Sequence, residues 1–352
     1  MVLVLSKETK EMGRRVILGS TGINVNKNGF GALPVQRVGM DEACKILRKA
    51  YDNGIDYFDT ARFYSDSEKK IGEALSDVRN QIYIATKTMS TDVEEMKRQL
   101  DTSLTDMKTD YIDVYQFHNP SFCPKPDDGT GLYEYMLSLK EQGIVKHIGF
   151  TNHRIQVAEE AVESGLYETL QFPFNCLSNE RELKLAQTCK ERNVGFIAMK
   201  ALSGGLITNS AAAYAWQLQY DNVLPIWGIQ RERELDQFLS YQENEPSMDD
   251  PVIKSVIEKD VSELAGEFCR GCGYCMPCPV GIEINNCARR SLLLRRAPID
   301  DQLGGQVEKQ MKNIENCIHC NQCKSKCPYG LDTPRLLEEN YKDYFHVLEN
   351  GF

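Results

Sequence analysis

Short apolar runs of the β type alternate with amphipathic helical patterns along roughly the first 240 residues. The run NGFGALP is followed by the helical pattern MDEACKILRKAYDNG. Asp56–Asp59 (DYFD) precedes SEKKIGEALSDV, and IYIATK precedes DVEEMKRQLDTSLTDM. YIDVYQFH leads through a loop to GLYEYMLSLKEQG. HIGFTN, TLQFPFN, VGFIAMKA and VLPIWGI are each followed by a further helical pattern. Leu47, Ala50 and Tyr51 display the i, i+3, i+4 face of the first helix. Eight consecutive strand–helix units predict a parallel sheet, because each crossover helix returns the chain to begin another parallel strand. The count fits a closed (β/α)8 TIM barrel, a fold of about 250 residues. An open doubly wound sheet is the competitor, but it typically opens on a G-x-G-x-x-G turn, and the first strand here offers NGFGALP. Ahead of it, VILGSTGINVN alternates around a turn signal and predicts a β-hairpin able to plug the barrel's bottom.

Chemistry in such a barrel belongs to the C-terminal strand ends. Polar residues collect there: Asp59 with Tyr64 in the following loop, Lys87, His118, Thr151 and Asn152, Gln171 and Asn175, and Lys200. Singly, each has a plain structural explanation as a helix cap, a rim lysine or a hydrogen-bonded half-buried histidine. Four of them on three successive units form a constellation.

The 352 residues are 41% hydrophobic and 26% charged, which excludes a disordered or collagen-like chain. No apolar run approaches the ~20 residues of a membrane span, and MVLVLSKETKEMGRR has no signal-peptide pattern. The net charge of −10 lacks the basic footprint of a nucleic-acid binder. The thirteen cysteines divide unevenly, four before residue 268 and nine after. With an odd count and no export signal, a disulfide framework is not expected, and the cytoplasm is the natural compartment. Cys44, Cys123, Cys176 and Cys189 are scattered and read as reduced, partly buried thiols.

The tail cysteines have metal-ligand spacing. Cys317-x2-Cys320-x2-Cys323-x3-Cys327-Pro328 is the bacterial ferredoxin signature, in which three cysteines hold one cubane and the fourth reaches the other. Cys269-x2-Cys272-x2-Cys275-x2-Cys278-Pro279 is one residue short before its last cysteine. By analogy with ferredoxins, Cys269, Cys272, Cys275 and Cys327 hold one [4Fe–4S] cluster, and Cys317, Cys320, Cys323 and Cys278 the other. Cys287 is spare. Four-cysteine zinc sites are the alternative use of paired C-x2-C units. Arg289, Arg290, Arg295 and Arg296 form a basic patch that reads as a solvated face or a docking site for an acidic electron carrier.

The motif FDTARFYSDSEKKIG around Asp59, ATK ending at Lys87 and HNP after the fourth strand resemble the aldo-keto reductase family over about residues 15–242. The resemblance implies a catalytic tetrad of Asp59, Tyr64, Lys87 and His118. It also implies a nicotinamide site. Thr151, Asn152 and Gln171 correspond to the family's Ser-Asn-Gln set. Gly228, Arg233, Asp236 and Gln237, with Gln230 and Arg231 in the same loop, correspond to its adenosine-phosphate loop. IWGIQRE departs from the more usual Pro-Gly run there. Arginine suits a 2′-phosphate through its forked donors, favouring NADPH over NADH.

The expected organisation is a barrel over 1–242, a linker and helix over 243–268, and a mostly helical ferredoxin-like iron–sulfur domain over 269–352. The expected activity is NADPH-dependent reduction of a small-molecule carbonyl, or oxidation of an alcohol. The clusters would transfer electrons, with a ferredoxin- or flavodoxin-like carrier as partner, or shape the pocket. An iron–sulfur electron-transfer or partner-binding protein with a non-catalytic barrel is the alternative. Neither nucleic acid nor membrane is an expected partner. Phe63, Phe122 and Trp227 are candidate apolar walls for the substrate, and each reads equally as packing.

Overall fold

The computed structural model describes residues 13–264, 266–297 and 299–352; the N-terminal stretch read for an export signal lies largely outside them. Two strands, β1 (Arg15–Ile17) and β2 (Asn24–Asn26), form an antiparallel hairpin. Eight more follow: β3 (Gly29–Gly31), β4 (Tyr57–Asp59), β5 (Tyr83–Thr88), β6 (Ile112–His118), β7 (Val145–Thr151), β8 (Thr169–Pro173), β9 (Gly195–Met199) and β10 (Val223–Gly228). They close into a parallel barrel in sequence order, β10 pairing with β3. The predicted barrel therefore forms, and the open sheet does not. Every residue of β6 is buried, as befits a parallel strand covered on both faces.

The helices are α1 (Met40–Asp52), α2 (Ser67–Leu75), α3 (Val93–Asp106), α4 (Leu132–Glu141), α5 (Ile155–Ser164), α6 (Glu180–Glu191), α7 (Ser210–Leu218) and α8 (Glu232–Glu243). Local sequence starts several of them. Asp92 Oδ1 accepts the Glu95 N–H at 2.9 Å to begin α3. Asn179 and Glu182 exchange hydrogen bonds as a capping box on α6.

The hairpin closes the N-terminal end of the barrel, as its alternation predicts. Val16, Leu18, Ile23 and Val25 share a buried cluster with Tyr57, Val114, Ile197 and Leu224 of the strands. The approach is close at Gly19, where φ is +51° and a Cβ would fall 2.3 Å from the Gly195 backbone nitrogen.

A further helix, α9 (Pro251–Glu263), is capped by Asp250, whose Oδ1 accepts the Val252 N–H at 2.8 Å. Within it the chain passes from one compact unit to a second. The first unit runs to Ala201 and resumes over Ala211–Lys254. The second comprises Leu202–Ser210 and Ser255–Phe352.

The second unit contains α10 (Ile284–Cys287), α11 (Arg290–Arg296), α12 (Gly305–Lys312), α13 (Gln322–Ser325) and α14 (Thr333–Asn350). Ile284, Cys287, Leu294, Met311, Leu337 and Tyr344 anchor its core. Asn340 of α14 accepts the Ser291 N–H at 2.8 Å and donates to Leu336 O at 2.7 Å, tying α14 to α11.

The expected basic patch is not an open docking face. Arg289 donates to Gly204 O, Arg290 is buried and donates to Gln302, and Arg295 makes a fork to Asp343. Arg296 bonds Leu206 O at 2.9 Å, Asp260 at 2.7 Å and Glu263 at 2.6 Å. The four arginines tie the second unit together through partners far away in sequence. No described helix is long and apolar enough to cross a membrane.

Candidate active site and cluster sites

Asp59 ends β4, Lys87 lies one residue before the end of β5, and His118 ends β6, so neighbouring strands deliver three tetrad residues to one end of the barrel. The Lys87 ammonium donates to Asp59 Oδ1 and to Thr60 O, both at 2.6 Å. Lys87 and Asp59 are 1% and 2% exposed, so this ion pair is removed from water. Burial pushes the Asp59 carboxyl up and the Lys87 amine down, and their mutual attraction opposes both shifts.

Two amides complete the cage around the carboxylate. Gln116 donates to Asp59 Oδ2 at 3.4 Å, and Gln171 to Asp59 Oδ1 at 3.3 Å. Gln116 also donates to Gln171 Oε1 at 3.0 Å.

Tyr64 lies in the loop between β4 and α2. Its ring meets the His118 ring edge-on, centroids 5.8 Å apart, and the Lys87 Nζ is 5.3 Å from its centroid. The loop is braced from beneath. Buried Glu68 pairs with Arg62 and accepts from Thr86 Oγ1, both at 2.5 Å, and Arg62 reaches Asp106 at 2.7 Å. Burial, reinforced by the Lys87 charge, depresses His118 to a pKa of about 3, so its imidazole is neutral at physiological pH. The four expected catalytic residues thus come together.

The expected nicotinamide residues stand on the same rim. Thr151 ends β7, Asn152 follows it, and Gln171 lies in β8; all three are buried. Asn152 donates to Pro120 O at 2.8 Å and accepts the Arg154 N–H at 2.8 Å. Both ends of the Asn152 and Gln171 amides are therefore already engaged. Gly228 ends β10 and is exposed. At the start of α8, Glu234 accepts the N–H groups of Gln230 and Arg231 at 2.9 and 3.0 Å. Arg231 and Arg233 are exposed there, as is Gln237, while Asp236 is held by Lys49 at 2.6 Å.

In the second unit the two cysteine runs interleave. Burial, with Cys269, Cys272 and Cys327 beside it, pushes the Cys275 thiol up to about 12. The guanidinium of Arg270 lies 4.8 Å from the Phe268 ring and 4.6 Å from the Tyr329 ring, clasping the chain next to Cys269 to the chain beyond Cys327. Five cysteines line one cavity, Cys275 and Cys278 with Cys317, Cys320 and Cys323, walled by Ile282, Ile284 and Leu337. Cys278 of the first run thus shares this cavity with three cysteines of the second, and Cys275 also reaches it. Cys287 stands apart, fully buried, its Sγ donating to Gln310 O at 3.6 Å. Among the described residues no group of three or more His, Cys, Asp or Glu is gathered as for a single metal ion.

Residues 17–212 match the family model described as Aldo/keto reductase family. The chain belongs to the aldo/keto reductase family. Residues 268–332 match a second family model, the 4Fe-4S dicluster domain. The chain is 27% identical over 209 residues to the "Uncharacterized oxidoreductase YqkF" of Bacillus subtilis, covering 55% of this chain and 67% of that protein. It is 28% identical over 210 residues to the "L-galactose dehydrogenase" of Arabidopsis thaliana, covering 54% and 66%. The likeness to these curated relatives thus spans about two thirds of their length. Among solved structures, an aldo-keto reductase from Klebsiella pneumoniae in complex with NADPH superimposes with a TM-score of 0.60 at 19% identity, over 71% of this chain and 95% of that one.

By family, then, this is an oxidoreductase carrying a dicluster domain. Two features of its aldo/keto reductase barrel went unread in the sequence. Gln116 lies inside the run IDVYQFH, two residues before His118; the period of two puts both on the barrel's inner face, and an uncharged polar residue in mid-strand was the available signal. Gly149, its register partner, supplies the room it occupies. Trp227 is not a pocket wall: it is buried, stacked between Phe238 at 4.4 Å and Tyr214 at 5.7 Å. Phe63 and Phe122 are exposed, 70% and 37%.

Proposed function

We propose that the protein is an NADPH-dependent oxidoreductase that interconverts a small-molecule carbonyl and its alcohol, with two [4Fe–4S] clusters in its second unit. The observation that carries the first half is the buried Lys87–Asp59 pair beside Tyr64 and His118. A bound nicotinamide supplies or accepts the hydride. The rest falls to the chain. The carbonyl oxygen gains negative charge as it is reduced and needs a proton and a donor. Tyr64 is the proton donor in reduction and the acceptor in the reverse direction. The Lys87 ammonium, 5.3 Å from the Tyr64 ring centroid, favours the negative charge that develops on the phenol oxygen as the proton leaves. Two of the three Lys87 donors are fixed by Asp59 and Thr60, which aims the remaining one. Neutral His118 donates to the carbonyl oxygen and orients it.

The donor chemistry fits the cofactor in part. The Thr151 hydroxyl and the exposed Arg231 and Arg233 suit an amide and a phosphate. The Asn152 and Gln171 amides must exchange or share present bonds to hold a carboxamide. The NADPH bound to the Klebsiella pneumoniae relative supports the choice of cofactor. The crossed cysteine sets fit two cubanes, held by Cys269, Cys272, Cys275 and Cys327, and by Cys278, Cys317, Cys320 and Cys323.

The test is anaerobic purification with iron and sulfide counting, EPR after dithionite, and an NADPH titration, followed by Tyr64→Phe. The expected result is about eight irons per chain, tight NADPH binding, and carbonyl turnover that falls by a factor of ~10² or more in Tyr64→Phe with cofactor binding kept. Zinc without iron removes the clusters. Turnover unchanged in Tyr64→Phe removes the assigned acid.

The eight tail cysteines also favour a second reading, a one-electron protein serving a ferredoxin- or flavodoxin-like carrier in the cytoplasm with an idle barrel. Iron without NADPH binding would select it.

A further inference from the structure

The two cysteine sets have unlike surroundings. Cys278, Cys317 and Cys323 are half-buried and Cys320 is exposed, with Ile318 beside it 61% exposed. In the other set Cys269 and Cys275 are buried, each 8% exposed, and Cys272 and Cys327 are half-buried. A charged group also attends the buried set. The Gly271 N–H donates to Cys269 Sγ at 3.4 Å. The Arg289 guanidinium lies directly over Gly271: a Cβ there would fall 2.6 Å from Arg289 Cζ. Gly271 has φ +62°, so two demands meet at a residue only glycine satisfies cheaply, a left-handed backbone and an arginine stacked on it. Arg289 is held there by its bond to Gly204 O at 2.9 Å.

We infer that Arg289, seated over Gly271, is a positioning residue that raises the reduction potential of the buried Cys269–Cys272–Cys275–Cys327 site and leaves the exposed Cys278–Cys317–Cys320–Cys323 site unaffected. This rests on the proposal that both sites carry cubanes. Adding one electron to such a cluster, taken from an external one-electron reductant that is oxidised in turn, adds one negative charge and moves no atom. Burial alone opposes that charge. A fixed guanidinium and an N–H directed at sulfur favour it, and do so more strongly where water is excluded. The more exposed site has a backbone N–H of its own on Cys323, from Lys324, so the fixed guanidinium is what sets the two sites apart. Its neighbouring ammonium, Lys324, is itself exposed and paired with Asp332 at 2.8 Å. Arg270 has its charge set against two aromatic rings.

The experiment is a redox titration of the full-length protein followed by EPR, with iron counted for every variant. About eight irons per chain must be found first; their absence overturns the cluster proposal rather than the role of Arg289. A soluble paramagnetic relaxing agent then distinguishes the sites in the wild type, broadening the signal of the exposed cluster, which Cys320→Ser also perturbs. Arg289→Gln is expected to move the other signal, and not this one, to lower potential. Arg289→Lys keeps the charge but loses the fork, and should move the same signal by less. Should Arg289→Gln fail to retain iron, Arg289→Lys gives the same site contrast. A shift of the agent-broadened signal, or of neither signal in a variant with full iron, overturns the inference.

Discussion

Gly149 is the register partner of Gln116, and nothing larger fits: a Cβ on Gly149 would lie 2.7 Å from Gln116 Cγ and 2.5 Å from Thr169 Oγ1. The missing side chain on β7 lets an amide from β6 stretch across the barrel to Asp59 and Gln171. Gly149→Ala is therefore expected to destabilise the barrel by about 1–3 kcal/mol through overpacking and to loosen the grip on the Asp59 carboxylate. Urea unfolding by circular dichroism measures it. A midpoint unchanged from the wild type would mean that the interior yields more readily than this contact implies.

The Lys87–Asp59 pair predicts a thermodynamic cycle. Lys87→Met leaves a carboxylate that is 2% exposed with two weak amide donors and no counter-charge. Removing one partner of a buried pair costs about 3–5 kcal/mol, whereas removing both charges is often near neutral. Asp59→Asn combined with Lys87→Met should therefore recover much of the stability lost in Lys87→Met alone, while carbonyl turnover stays abolished. Stability and activity separate in the double variant. If the two losses simply add, the pair is not coupled as its 2.6 Å contact indicates.

The parts read directly from the sequence were those coded locally. Each strand of the barrel is a short apolar run, and each helix carries its own periodicity, with a side-chain cap on some, so the (β/α)8 order was legible without any long-range information. The four tetrad positions were legible because three sit at strand ends, and Tyr64 in the loop after the first of them, inside recognisable motifs. The division of the cysteines into two sets rests on their likeness to ferredoxins, since C-x2-C spacing alone also suits zinc. What stayed hidden depends on partners far away in the chain. Arg296 looks like surface charge until Leu206, Asp260 and Glu263 converge on it. Gln116 looks like a tolerated polar residue in a strand until Asp59 and Gln171 are placed beside it. Trp227 reads equally as a pocket wall or as packing until Phe238 and Tyr214 cover it. Side-chain role here is decided by packing across strands, which local pattern does not encode.

His118 predicts acid sensitivity of a defined sign. In the unfolded chain a histidine titrates near 6.5, and in the fold burial and the nearby Lys87 lower it to about 3. Between these values the unfolded state binds a proton that the folded state does not, so stability falls as pH drops through that window and is fully retained above it. The contribution is at most about 5 kcal/mol. His118→Gln removes the titrating group, so its unfolding free energy should fall less steeply between pH 6.5 and 4 than that of the wild type. Parallel pH profiles would place His118 in contact with water rather than inside the barrel.

Cys287 and Cys275 are both buried in the second unit, and their chemistry should nevertheless separate cleanly. Burial pushes the Cys287 thiol up to about 11, its Sγ bonds Gln310 O, and apolar side chains surround it. That is a packed thiol with no call to ionise. Cys275 has three other cysteines as neighbours, and a thiolate there is stabilised chiefly by bound metal. Cys287→Ser is expected to keep the full iron content and to lose about 1–3 kcal/mol, because a hydroxyl takes the place of a sulfur in an apolar core. Cys275→Ser is expected to lose about half the iron, since the crossed pairing leaves the Cys278 set its own four ligands. Iron per chain and a urea midpoint for each variant decide the matter. Loss of all the iron in Cys275→Ser would mean that the two sites fold as one cooperative unit. Loss of iron in Cys287→Ser would make the spare cysteine a ligand and break the crossed pairing on which the assignment rests.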